Sequence, residues 1–132
     1  MDLEILKIAS DTKNHKILDD CTHKSKVKNS LCGDEMEVSV KIYENQILDF
    51  GYQCKSCIFC QASASLLSKF SINKKISSIN DIVAFSNKIF KNKNAKYPKD
   101  WKKFEILFNE KNLPRKDCIL LPFKALYKAL KS

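Results

Sequence analysis

The chain has no run of apolar residues long enough to span a bilayer. Its amino terminus, Met1-Asp2-Leu3-Glu4-Ile5-Leu6-Lys7, carries acidic residues and no long apolar stretch, unlike a secretory leader. A cytoplasmic location is expected, or an organelle matrix after loss of a presequence, with no membrane partner. Internal repeats and low-complexity linkers are also missing, so residues 1–132 are expected to form a single domain. That length buries a core without disulfide staples. Arginine is almost absent: Arg115 stands alone among 24 basic residues, although the net charge is +9. Lysine gives a general attraction to anions, whereas arginine is the residue of bidentate phosphate and guanine contacts. The charge is therefore read against nucleic acid as the main partner, and an acidic protein suits it equally well.

What the chain does have is six cysteines. A reducing compartment disfavours structural disulfides and favours metal binding or thiol chemistry. Three of the six lie within Cys54-Lys55-Ser56-Cys57-Ile58-Phe59-Cys60, where a strand-like pattern gives way to a helix-like one. Phe59, Ala62, Leu66 and Phe70 follow at spacings of three and four, so a helix is expected to begin near Cys57 and hold the thiols at its tip. A helix amino terminus offers unpaired N–H groups and partial positive charge, which favour the thiolate that binds metal and attacks sulfur.

Residues 2–10 suggest a short amphipathic helix. Residues 11–30 are mostly polar and read as an ordered connection with little regular structure, anchored by Ile17, Leu18 and Val27. His15, Cys21 and His23 fall there at spacings that match no familiar zinc pattern and are read as surface residues. Met36 to Tyr43 alternate, with Val38, Val40 and Ile42 on one face. Glu44-Asn45 reads as a turn, and Leu48, Phe50 and Tyr52 alternate on the return. Such a hairpin carries Cys32 and Cys57 toward the same end of the sheet.

Ser78-Ile79-Asn80-Asp81 has the form of a helix cap ahead of Ile82, Phe85 and Ile89. Another helix is expected from Pro98, with Tyr97, Trp101, Phe104 and Phe108 as core and Lys96, Lys99, Lys102 and Lys103 as its wet side, in preference to a single-strand-binding patch. Ile119, Phe123, Leu126 and Leu130 mark the last helix, which places Cys118 at a second helix amino terminus. Pro122 is compatible with that helix only in its first turn.

Cys32, Cys57 and Cys118, with Asp34, are therefore expected to form one metal or cluster site, a donor set that suits zinc or iron in tetrahedral coordination. A carboxylate is a harder and more labile ligand than a fourth thiolate, which is useful in a carrier. Leu31-Cys32-Gly33-Asp34, Cys57-Ile58-Phe59-Cys60-Gln61-Ala62-Ser63-Ala64-Ser65 and Arg115-Lys116-Asp117-Cys118-Ile119-Leu120-Leu121-Pro122-Phe123-Lys124-Ala125-Leu126 resemble the three motifs of the U-type iron–sulfur assembly scaffolds, the NifU/IscU/SufU family. The long segment between Cys57 and Cys118, and the Arg ahead of Cys118, look most like the SufU branch.

The resemblance implies an α+β fold, an antiparallel sheet of about three strands packed against about five helices. It implies Cys32, Asp34, Cys57 and Cys118 as ligands, selecting Cys57 over Cys54 by its distance from Ala-Ser-Ala-Ser. It also implies a pyridoxal-phosphate cysteine desulfurase as sulfur donor. This chain has Cys54 and Ser56 where family members usually have Gly, and Cys60 where they have Ser.

Two functions use the same residues. In the first, the chain is a non-enzymatic scaffold on which a [2Fe–2S] or [4Fe–4S] cluster is built and passed to apo iron–sulfur proteins. In the second it is a zinc-dependent sulfur acceptor, a sulfurtransferase in which Cys118 leaves zinc to attack the donor persulfide. A ferredoxin-like reading of Cys54, Cys57 and Cys60 lacks the fourth Cys and following Pro, with Ala64-Ser65 in their place.

Overall fold

The structure is a computed structural model that describes residues 3–29, 33–55 and 57–132. Helix α1 (Leu3–Ala9) precedes strands β1 (His23–Lys28), β2 (Glu35–Tyr43) and β3 (Gln46–Lys55). Helices α2 (Ile58–Ser71), α3 (Ile76–Lys88), α4 (Glu105–Phe108) and α5 (Lys116–Leu130) follow, with 3-10 turns at Lys102–Phe104 and Glu110–Arg115. The strands form one antiparallel sheet in the order β1-β2-β3. This is the expected α+β architecture of three strands and five helices among the described residues.

The hairpin forms because β2 and β3 each present an apolar face: Met36, Val38 and Val40 pair with Cys54, Tyr52 and Phe50. All but Cys54 are buried. Both turn residues, Glu44 (φ 51°) and Asn45 (φ 64°), take the left-handed conformation that matches the twist of two joined strands. One expectation shifts. The register slips between Lys41 and Ile42, so Ile42 pairs with Ile47 and Leu48 is the extra residue. That bulge turns Ile47 into the core at 0% exposure and leaves Leu48 39% exposed.

Strand β1 is not legible in the apolar pattern, and the segment read as irregular contains six paired residues. Its alternation is real, but His23, Ser25 and Val27 are only half-buried on the inner side, and Lys24, Lys26 and Lys28 face out. What holds the strand is polar: Ser25 Oγ donates to the Ala125 carbonyl of α5, and Lys128 Nζ to the Lys26 carbonyl. Ile17, expected as an anchor, is 48% exposed, whereas Leu18 is buried.

Three helix expectations are corrected. α3 starts at Ile76 behind Lys75, not at the Ser78 cap, and Ser78 Oγ instead accepts from Trp101 Nε1 at 3.0 Å. The aromatic helix after Pro98 is broken into a 3-10 turn and a single α-helical turn, with Asp100 at φ 73° ahead of them. Trp101, Phe104 and Phe108 are buried core as expected, Phe104 and Phe108 meeting Phe123 at 6.0 and 5.4 Å between centroids, whereas Tyr97 is half-buried against Phe85. Pro122 lies in the interior of α5, where a proline costs about 3 kcal/mol relative to alanine.

The loop after α1 runs along the edge of β3 and across the sheet. Tyr52 N–H donates to the Asn14 carbonyl, and Leu18 N–H to Ser39 Oγ. A Cβ at Gly51 would stand 2.5 Å from the Lys16 carbonyl oxygen and 3.2 Å from Leu18. Gly51→Ala is therefore expected to lower unfolding free energy by about 1–3 kcal/mol in urea titration. Replacing Glu44-Asn45 by Asn-Gly, through Glu44→Asn with Asn45→Gly, suits the turn better and is expected to raise it by about 1 kcal/mol in the same measurement.

Candidate functional site

The site lies at the end of the sheet where the hairpin opens. Glu35 pairs with Lys55, so Asp34, one residue before, and Cys57, two residues beyond, emerge side by side. Where β1 ends and β2 begins, Asn29 N–H donates to the Asp34 carbonyl and Gly33 N–H to the Asn29 carbonyl, both at 2.8 Å. Gly33 has φ 75°, which its missing side chain permits. Cys57 caps α2 with extended backbone (φ −72°, ψ 168°), and its carbonyl accepts from Cys60 and Gln61. Cys118 is carried in from the far end of the sequence as the third residue of α5.

The ligand atoms of Asp34, Cys57 and Cys118 all lie within 4.8 Å of one another. Cys118 Sγ stands 3.4 Å from Asp34 Oδ2 and can donate to it. Donors around one tetrahedral ion sit about 3.7 Å apart, so modest contraction would let these three share a cation. Asp34 is buried and the two cysteines half-buried, leaving the thiols within reach of solvent. Arg115, just before α5, places its guanidinium 5.8 Å from the centre of the Phe59 ring, at the first turn of α2. The sequence named Arg115 as a motif residue but gave no sign of this pairing.

Cys32 lies outside the described residues. The other cysteines do not join the group. Cys60 is wholly buried inside α2, and Cys54 pairs with Met36 within the sheet. Among the described residues the group of Asp34, Cys57 and Cys118 is the one assembled for a cation. His15 packs edge-on against Tyr52 and His23 Nδ1 meets Thr22 Oγ1, so these histidines serve local structure.

The electrostatics differ from the helix-terminus expectation. Cys118 is pushed well above the ordinary thiol value, first by burial and then by hydrogen bonds and negative charge from Cys57 and Asp34. The 3-10 turn runs directly into α5, and Lys116 N–H is already taken by the Leu113 carbonyl, so one of the amides that a helix start leaves open is closed here. A cation bound between the groups would reverse the sign and ionise the thiol.

A model of the NifU-like N terminal domain matches residues 2–107. The iron–sulfur cluster assembly scaffold protein IscU of Thermotoga maritima is 31% identical over 128 residues, which span 96% of this chain and 89% of that protein. An uncharacterized protein of Borreliella burgdorferi is 31% identical over 103 residues, 78% of this chain and 71% of that one. The crystal structure of a NifU-like protein from Brucella abortus superposes with a TM-score of 0.88 at 20% identity, covering 98% of this chain and 91% of the other. An iron–sulfur assembly scaffold described for the SUF system of Fervidobacterium islandicum gives 0.88 at 22%, covering 98% and 96%. At those identities the two structures show a shared fold.

A thiol whose folded-state value is raised contributes stability that is complete below its unfolded value and drains away as pH climbs past it. The metal-free protein is expected to lose stability to urea from about pH 9 upward, beginning at the ordinary thiol value. Asp34→Asn should shrink that loss and Cys118→Ser remove it. Tyr52 and Tyr97, pushed up to about 12 by burial, add their own loss only above pH 10.

Proposed function

The chain belongs to the NifU-like N-terminal domain family, to which the U-type iron–sulfur assembly scaffolds belong, and from this we propose that it builds an iron–sulfur cluster on Cys32, Asp34, Cys57 and Cys118. One observation carries the reading: Asp34, Cys57 and Cys118 come from a loop, a helix cap and a helix first turn, and meet within one ion's reach. Cys32, two residues before Asp34, supplies the third thiolate.

The chemistry follows from the donor set. Thiolates hold iron and accept sulfur, and the carboxylate is the weakest holder of the four, so the cluster is cargo that leaves rather than a resident group. Half-buried sulfurs at a sheet end remain open to a sulfur donor and to a recipient. The donor is a pyridoxal-phosphate cysteine desulfurase, the recipients are apo iron–sulfur proteins, and Cys118 is the first thiol to accept sulfur. The work is done in the cytoplasm.

Elemental and sulfide analysis of anaerobically purified protein, before and after incubation with iron(II), cysteine and a desulfurase, tests this. The expected result is iron with acid-labile sulfide and a visible cluster chromophore, absent when Cys32, Cys57 or Cys118 is replaced singly by Ser. Asp34→Ala should keep the chromophore and slow its transfer to an apo-ferredoxin by about tenfold. Stoichiometric zinc, with persulfide on Cys118 and no chromophore, would instead establish the sulfur-acceptor role.

A further inference from the structure

Cys118 is the third residue of α5 and Pro122 the seventh, in a helix that runs from Lys116 to Leu130. Proline has no N–H, so the Cys118 carbonyl lacks the amide four residues on that would normally bond to it, and the ring presses on that same carbonyl. The first turn and its cap are left tied to the helix body by the amides of Ile119, Leu120 and Leu121, three bonds where a regular helix has four.

Burial changes sharply at the same place. Lys116 and Asp117 are exposed and Cys118 is half-buried, but Ile119, Leu121 and Phe123 are in the core. The Ile119 carbonyl also accepts from Ser63 Oγ at 2.6 Å, and Ser63 is wholly buried on α2, the helix that Cys57 caps. Upstream, the 3-10 turn at Glu110–Arg115 is exposed except for Asn112. A pinned helix body thus meets a solvent-facing first turn whose outer anchors are Arg115 over the Phe59 ring and the Lys116 N–H to Leu113 carbonyl bond, and the missing bond falls on the residue at the boundary.

We propose that Pro122 is a positioning residue: it makes a joint between Cys118 and Ile119 at which the first turn of α5 lifts Cys118 away from Asp34 and Cys57 while the rest of α5 stays seated. This rests on the reading of Cys118 as a member of the site. Cys118 is half-buried beside Asp34, and the joint would carry its sulfur further out toward a donor without unpacking the core.

The test uses the metal-free full-length chain and compares it with Pro122→Ala, which restores the amide, and with the Glu44→Asn, Asn45→Gly hairpin variant, which stabilises the fold far from α5. Amide exchange at Leu120 and Leu121 is followed by NMR, and iodoacetamide labelling of Cys118 relative to Cys57 by mass spectrometry. In Pro122→Ala both amides should exchange about tenfold more slowly, and the Cys118-to-Cys57 labelling ratio should fall by a similar factor. The hairpin variant should leave the ratio at its wild-type value. Wild-type exchange and labelling in Pro122→Ala, or an equal fall in the ratio in the hairpin variant, would overturn the joint. Labelling needs no metal, so a wild-type protein that binds neither iron nor zinc would sink the assembly reading while the ratio still decides whether the joint exists.

Discussion

Two thiols and a carboxylate repel one another once ionised, yet the fold holds them within 4.8 Å. In the metal-free protein the constraint is eased at Cys118, whose thiol value is raised by burial and by Cys57 and Asp34 and whose sulfur stands 3.4 Å from Asp34 Oδ2. Much of the chain serves that enforced closeness. The hairpin register brings Asp34 and Cys57 to one end of the sheet, and α5 packs across β1 and β2 to deliver Cys118 from 84 residues away. The packing that supports it is ordinary hydrophobic burial: Ile119, Phe123 and Leu126 of α5 share one core with Val38, Val40, Leu67 and Trp101, and Phe123 meets Phe104 and Phe108. Burial of that kind is nondirectional and strong, which is what a set of mutually opposed charges requires of its surroundings.

Direction comes from hydroxyls. Ser63 on α2 and Ser25 on β1 each donate to an α5 carbonyl, so the helix that carries Cys118 is indexed from two sides at fixed points along its length. Ser65 and Ser68 of α2 serve the other side of the molecule: Ser65 Oγ donates to the Asp11 carbonyl, and Ser68 Oγ accepts from Asn14. The serine-rich inner face of α2 thereby locates both the loop that covers the sheet and the helix that completes the site. Small side chains allow the close approach, and their oxygens fix the angle.

The parts of this arrangement that were readable in the sequence are those written in apolar spacing or in motif. The hairpin, α2, the buried face of α5 and the core role of Trp101, Phe104 and Phe108 all follow from periodicity. The three-strand count came from the family resemblance, because β1 buries no large side chain and is held by hydrogen bonds that leave no apolar signature. Leu48 was assigned to the wrong face because a bulge is a property of pairing between two strands, invisible in either alone. For Cys118 the resemblance named the residue, but its thiol value is raised, opposite to the helix-terminus argument, first by burial and then by Cys57 and Asp34, 61 and 84 positions away, none of which is visible in local sequence.

The long edge of β3 is occupied by the protein's own backbone. Asn14 bonds to it at Tyr52, and Lys74 and Asn73, just after α2, bond to it at Ile47. With the Ile47 and Tyr52 amides already bonded, the edge is a poorer template for a neighbouring copy or an extended peptide. In a crowded cell full of nascent chains, this sheet is thus guarded against stacking at those points of that border.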